Sequence, residues 1–352
     1  MKKRRKKNNR GIFIILVLII AIVAIIIAIN NKPESEKNQA QEVAQQNVIT
    51  DTEAPNLILN GDDVKTIPLG GKYANDTASA TDNIDGDVSE NITIEGKVDI
   101  NKEGTYLVKY SVTDKAGNTS TKEQKVIVCK PLSEAGLPVL MYHFFYDGSL
   151  EDGSNRDNNY IEISKFEEQI KYLKENNFYF PTWEEVEKYI DRDIILPEKS
   201  VVLTFDDGDD SFFELAVPIL QKYNVNGTSF VISSWYGYRA NEKQPNVIYE
   251  SHSDNMHQAG SNGKGVMLSW SNDKIKEDLI NSRNVLGENV TVFCYPMGNY
   301  NENAKQILRE TGYKLAFTTE GGRVKKGADK YALPRVRISK NTSLASFKSM
   351  VN

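Results

Sequence analysis

From about Leu132 to the C-terminus, short apolar runs alternate with segments whose apolar residues recur every three to four positions. Leu137 to His143, Ser200 to Phe205, Thr228 to Ile232, Val247 to Glu250, Val290 to Tyr295, Leu315 to Thr318 and Ala332 to Ile338 predict strands. Ser164 to Asn176, Thr182 to Ile190, Phe212 to Tyr223, Asp273 to Leu286 and Glu302 to Glu310 predict helices, and a short one follows Ser343. Phe166, Ile170 and Leu173 have helical spacing, and Thr182 with Glu185 forms a capping-box pair. Such alternation implies a mostly parallel sheet wrapped by helices, and six to eight units in ~220 residues suit a barrel better than an open sheet.

Upstream the texture differs. Between Asp51 and Cys129 the runs are shorter and alternate strictly, as in Tyr106, Val108, Tyr110 and Val112. Leu57 to Leu59, Val64 to Ile67, Ile92 to Ile94, Gly96 to Ile100, Thr105 to Thr113 and Lys122 to Cys129 predict strands. Asn60-Gly61, Gly70-Gly71, Asp85-Gly86 and Ala116-Gly117-Asn118 mark turns. This pattern fits a small all-β sandwich. Asp82, Asp85 and Asp87 offer oxygens suited to calcium, and the same residues also simply make good turns. Residues 30–52 are polar, with almost no large apolar side chain, and predict a disordered tether.

The first ten residues are strongly basic, and Gly11 to Ile29 are uncharged and apolar. As a helix the latter run is roughly 28 Å long, enough to cross a hydrocarbon core. A cleaved signal peptide has a shorter apolar region of about 7–15 residues, so an uncleaved single-span anchor is favoured. Basic residues before the span place the N-terminus inside and the rest of the chain outside the cytoplasm. The formal net charge is −5 despite that basic start. The remainder is therefore more acidic still, which argues against nucleic-acid binding. The two cysteines, Cys129 and Cys294, lack metal-type spacing and are expected to be buried thiols.

Candidate chemistry begins where the run Ser200 to Phe205 ends in Asp206-Asp207-Gly208. α/β folds build their sites at the C-terminal ends of strands. Adjacent carboxylates need a cation, a shared proton or open water. Asp209 and Asp210 read as a solvated turn, with Asp210 or Ser211 capping the next helix. Two of the three histidines, His252 and His257, fall just after a predicted strand. Imidazole and carboxylate together suit a divalent first-row metal, Zn²⁺ by default. On a helix, five residues rotate side chains about 500°, so the two rings converge only on a loop. Aromatic residues follow the predicted strands, Phe144 to Tyr146 after one and Trp235 and Tyr236 after another; they could stack on sugar rings or serve the core.

Thr204-Phe205-Asp206-Asp207-Gly208, Ser251-His252-Ser253 with His257, "PVLMYHFF", "VFCYPMGNYNE" and "ALPRVRI" together resemble the NodB-type polysaccharide deacetylases, carbohydrate esterase family 4, over residues 135–350. "DTEAPNLILNG", "ATDNIDGDVSENI" and "EGTYLVKYSVTDKAGNTS" resemble one bacterial Ig-like repeat, a spacer or a weak wall-binding unit. The organisation expected is a basic tail (1–10), a transmembrane anchor (11–29), a linker (30–52), an Ig-like sandwich (53–130) and a distorted (β/α)7 barrel (131–352). The resemblance implies that Asp207, His252 and His257 hold the metal, Zn²⁺ with Co²⁺ or Ni²⁺ as alternatives. Asp206 is implied as general base for the attacking water. The N–H of Met297, in a turn fixed by Pro296, is implied as oxyanion donor. Ser253 would hold the histidine loop, Tyr295 would line the groove, and Trp235 or Tyr236 would meet sugar.

Three departures from the family pattern matter. The histidines are five apart rather than four, a form that resembles the deacetylases of poly-N-acetylglucosamine. Cys294 stands where an arginine orients the base, leaving Arg335 or Arg337 to supply that charge. No histidine follows His257 to protonate the leaving amine. His143 is then either a proton donor or a structural residue bonded to Asp206 or to a backbone group. The expected protein is a monomeric, membrane-anchored, extracellular N-deacetylase of an N-acetylglucosamine polysaccharide. The alternatives are an O-acetyl esterase of the xylan type and an inactive cell-wall-binding module.

Overall fold

The computed structural model describes residues 51–150, 156–261 and 263–352. The basic tail, the stretch 11–29 and the linker up to residue 50 lie outside the described residues. Among the described residues no helix is long and apolar enough to cross a membrane.

Seven strands close into a barrel. They are β1 (Val139–Tyr142), β2 (Val202–Phe205), β3 (Gly227–Val231), β4 (Val247–Ser251), β5 (Val292–Cys294), β6 (Leu315–Gly321) and β7 (Leu333–Arg337). The order is β2-β3-β4-β5-β6-β7-β1, and every pairing is parallel. Regularity fails at two seams. Strands β4 and β5 meet only through Ser251 and Phe293, and the β6–β7 register shifts between Phe317 and Gly321. The expected distorted barrel is therefore present.

The helices are α1 (Ile163–Glu175), α2 (Trp183–Asp191), α3 (Val217–Tyr223), α4 (Asn272–Leu286), α5 (Glu302–Glu310) and α6 (Leu344–Val351). The Thr182 capping box forms in full, with Thr182 and Glu185 each accepting from the other's backbone N–H. The helix expected from Phe212 starts instead as a π turn, Phe212–Ala216, before α3. Ser211 does not cap it; its Oγ accepts from the Phe145 N–H.

Side-chain alternation sorts the barrel into two layers. Val202, Val292, Cys294, Leu315, Phe317 and Leu333 pack with Phe230 in one cluster. Leu203 and Phe205 pack in a second, with Phe166 and Ile170 of α1. Phe293 and Tyr295 pack in a third, with Ile275 and Leu279 of α4. The first cluster is an apolar plug. Polar residues of the same inward-facing positions, Thr204, Asp206 and Arg335, lie toward the C-terminal mouth.

Residues 56–129 form two sheets. One has three strands (Asn56–Leu59, Ala78–Asp82, Gly86–Asp87). The other has four (Val64–Pro68, Thr119–Cys129, Gly104–Thr113, Thr93–Glu95). The run Gly96 to Ile100 is not a strand. Gly96 has φ 114°, and a Cβ there would lie 2.4 Å from the Leu107 carbonyl oxygen. That close approach needs glycine and ends the pairing. Strand Ala78–Asp82 escaped sequence reading because its small, polar residues carry little apolar signal. Asp85 is bound to the Lys115 N–H and ammonium, and Asp87 accepts from the Ser89 N–H. The local Asp82/Asp85/Asp87 calcium reading therefore does not hold as a set.

Candidate active site

The backbone turns sharply as it leaves β2. Asp207 and Gly208 both have positive φ, 74° and 77°. A Cβ on Gly208 would come within 3.0 Å of a Val231 methyl, so the turn and the packing both call for glycine there. The left-handed conformation of Asp207 costs on the order of 1 kcal/mol or more, a strain that clusters at functional sites. It aims two successive carboxylates into the same mouth.

Asp206 is buried and bound by a fork. Arg335, on β7 and fully buried, donates from Nη1 to Oδ1 at 2.6 Å and from Nη2 to Oδ2 at 2.7 Å. Its other N–H groups reach Thr318 O at 3.0 Å, Thr204 Oγ1 at 3.1 Å and Cys294 Sγ at 3.0 Å. All five guanidinium donors are thus used. Burial alone would raise the Asp206 pKa, but the charge and hydrogen bonds of Arg335 hold it well below the usual carboxylate range. Cys294 Sγ donates to Asp206 Oδ2 at 3.5 Å, and burial keeps that thiol protonated. Of the two arginines considered, Arg335 supplies the charge; Arg337 donates to Asn159 Oδ1 instead.

Asp207, His252 and His257 converge. Both imidazole Nε2 atoms lie 3.4 Å from Asp207 Oδ1. That oxygen is buried and has no hydrogen-bond partner. His252 Nδ1 lies 2.8 Å from the Cys294 carbonyl, so Nδ1 carries the proton and Nε2 presents its lone pair. Donors each about 2.0–2.1 Å from a tetrahedral Zn²⁺ stand about 3.4 Å apart. The three residues fit such an ion. His257 packs edge-on against Trp235, ring centroids 5.9 Å apart.

The histidines converge because residues 252–257 are a loop. Ser253 has φ 73°, its Oγ accepts from the Met256 N–H, and its N–H donates to Ser251 Oγ. Ser253 therefore shapes the loop. Asp278 was missed: its carboxylate accepts the N–H groups of Asp254 and Asn255, both at 2.8 Å. Burial raises its pKa to about 6, against those two hydrogen bonds. The signal lay in α4, whose buried stripe is Ile275, Asp278, Leu279 and Ser282. Polar residues on an inward helical face ask for partners.

The remaining candidates separate. His143, just after β1, has Nε2 3.8 Å from Asp206 Oδ2, and burial lowers its pKa. Pro296 is buried, and Met297 has φ 58° in the turn after β5. Trp235 is half exposed at the mouth, whereas Tyr236 donates to Asp209 Oδ2 at 3.3 Å. Asp210 is not free in solvent: Tyr238 and Arg239 both donate to it. Tyr295 does not line the groove. Strand alternation sends Cys294 inward and Tyr295 outward, where its ring is buried and its hydroxyl donates to Tyr331 O at 2.9 Å. Cys129 and Cys294 are both free and buried.

A parallel barrel with carboxylate and imidazole gathered at its C-terminal mouth has the layout of a barrel enzyme with a metal-binding active site. Comparison with known proteins narrows this. Residues 194–316 match the family described as Polysaccharide deacetylase, and residues 57–128 match Bacterial surface protein, Ig-like domain. The chain is 30% identical over 197 residues to a Staphylococcus aureus poly-β-1,6-N-acetyl-D-glucosamine N-deacetylase, covering 51% of this chain and 68% of that protein. It is 29% identical over 226 residues to YxkH of Bacillus subtilis, covering 62% and 76%. The solved structure of the Streptococcus pyogenes deacetylase PplD in complex with acetate superposes with TM-score 0.55 at 26% identity, covering 63% of this chain and all of that one. The chain belongs to the polysaccharide deacetylase family, and the expected hydrolase is borne out.

Proposed function

We propose that this protein is a metal-dependent N-deacetylase of N-acetylglucosamine polymers, with poly-β-1,6-N-acetylglucosamine the favoured substrate over peptidoglycan. The observation that carries the reading is the Asp207–His252–His257 cluster, one residue from a carboxylate that Arg335 keeps ionised. The substrate preference rests on the name of the Staphylococcus aureus relative and on the five-residue histidine spacing.

Asp207, His252 and His257 would hold the cation, Zn²⁺ first, with Co²⁺ or Ni²⁺ compatible with the same donors. A divalent ion there supplies an acidified water and a polarised acetyl carbonyl. Asp206 accepts the proton of the attacking water. The Met297 N–H, in its left-handed turn, stabilises charge on the carbonyl oxygen as the tetrahedral centre forms. His143 delivers a proton to the departing amine. Trp235 offers an exposed face on which a sugar ring can stack. The apolar stretch 11–29, preceded by basic residues, supports anchoring in the cytoplasmic membrane with the barrel outside.

Two tests follow. Full-length protein should release acetate from poly-β-1,6-N-acetylglucosamine faster than from chitin oligomers or peptidoglycan. A chelator should stop the release and Zn²⁺ should restore it. Release from acetylated xylan alone would make the protein an O-acetyl esterase; polymer binding with no acetate from any substrate would make it a binding module. For His143→Ala, turnover of the amide should fall about 100-fold, with metal content unchanged. An aryl acetate, whose leaving group needs no proton, should suffer less. Equal losses on both substrates, or none, would remove His143 as the acid.

A further inference from the structure

A second group of carboxylates belongs to the N-terminal module and not to the barrel. One oxygen each from Asp51, Asp82 and Asp114 lies within 4.8 Å of the others. Asp82 ends the strand Ala78–Asp82, Asp114 follows the strand Gly104–Thr113, and Asp51 is the first described residue of the chain. Local bonds fix two of the carboxylates. Asp82 Oδ1 accepts the N–H groups of Ile84 and Asp85, and Asp114 Oδ1 those of Gly117 and Asn118. Asp82 is only 9% exposed, and its Oδ2 is buried without any hydrogen-bond partner. Asn118 Nδ2 ties the third element in, donating to Asp114 Oδ2 at 2.9 Å and to the Asp51 carbonyl at 3.3 Å.

Among the described residues no lysine or arginine pairs with Asp51, Asp82 or Asp114. Lys115 is nearby in sequence, but its N–H and ammonium both go to Asp85. An unpartnered buried carboxylate oxygen costs free energy. Two further carboxylates facing it add repulsion. Burial raises the pKa of Asp51, and the charges of Asp82 and Asp114 add to the effect. The donors are all oxygen, with no imidazole or thiolate, which selects a hard cation. Calcium takes oxygen ligands at about 2.3–2.6 Å, so ligands across one ion stand up to about 5 Å apart. The three oxygens lie close enough together to share one such ion, and calcium gives up its water for protein carboxylates more readily than magnesium does.

We propose that Asp51, Asp82 and Asp114 form a calcium site in the Ig-like module. The ion clips the chain at Asp51 onto two turns of the module and completes the coordination of Asp82 Oδ2. It is separate from deacetylation and holds whether or not the substrate reading does.

The test uses full-length protein with its barrel site kept loaded with Zn²⁺, and calcium alone as probe. Flow dialysis with radioactive calcium should show one site per chain, with Kd of about 10⁻⁴–10⁻³ M, typical of extracellular modules. Asp82→Asn and Asp114→Asn should weaken it at least tenfold. Asp85→Asn should leave it unchanged, because that carboxylate belongs to Lys115. Asp51→Asn, outside any strand, gives a variant whose folding is not in question and should weaken binding similarly. Acetate release should be the same in all four. Calcium should also slow proteolysis next to residue 51 in the wild type and not in Asp51→Asn. Absence of saturable binding, or equal binding by wild type and Asp51→Asn, would overturn the proposal.

Discussion

Asp206→Asn should lower the rate of acetate release by about 10³-fold, within the span of general acid–base contributions, while the protein still binds one equivalent of barrel metal. The amide is nearly isosteric and keeps an acceptor toward Arg335, but it cannot take a proton from water. The size of the loss follows from an imbalance in the site. Arg335 holds the Asp206 carboxylate ionised at any physiological pH, and the same pairing makes it a weak base. A weak base is effective only against an acidified water. Loss of Asp206 and loss of the metal should therefore be similarly damaging, and the two losses should not multiply. The check is kcat for Asp206→Asn with and without chelator, beside metal analysis and circular dichroism. A variant within tenfold of wild type would take the base role away from Asp206. One that lost its metal would instead place Asp206 among the residues supporting the ligands.

The sequence shows some of this and conceals the rest for physical reasons. The barrel was legible because each strand-helix unit writes its own local pattern, period two and then period 3.6. The metal cluster was legible because histidine is scarce in this chain and two of its three copies fall beside one strand end. What sequence could not decide depends on distance along a strand or across the fold. Arg335 and Arg337 have the same parity, so alternation sends both to the same face. What separates them is their surroundings in the fold: Arg335 is fully buried and forks onto Asp206, whereas Arg337 at the strand end is exposed and donates to Asn159 Oδ1. Tyr295 misled because it neighbours a functional segment, and neighbours on a strand face opposite ways. In the Ig-like module the visible Asp82, Asp85 and Asp87 spacing was local. The actual cluster joins residues 51, 82 and 114, which no spacing rule connects.

Arg335→Met should destabilise the protein by about 3–5 kcal/mol, as expected when one partner of a buried pair is removed, and should move the acid limb of the activity profile upward by about two pH units or more. Both partners are buried, so solvent screening does not soften the loss. In the wild type the Asp206 pKa lies below its unfolded value, about 3.9. Its contribution to stability is therefore fully present above that value and is lost only as pH falls through the much lower folded pKa. Without Arg335 the largest remaining influence is burial, which raises the folded pKa. The sign then reverses: stability is greatest below the unfolded pKa and declines as pH rises through the folded one. Acidifying from neutral pH should thus raise the contribution of Asp206 in the variant, where in the wild type it is unchanged until strongly acid conditions. Arg335→Lys keeps the charge but not the fork, and should recover part of the acid limb with less of the stability. Thermal melting and kcat/KM for the three proteins between pH 4 and about pH 8, a range set by these carboxylate shifts, separate the outcomes. If Arg335→Met kept the wild-type acid limb, the ionisation of Asp206 would have to be held by something other than Arg335, and His143, at 3.8 Å, is the next charge in line.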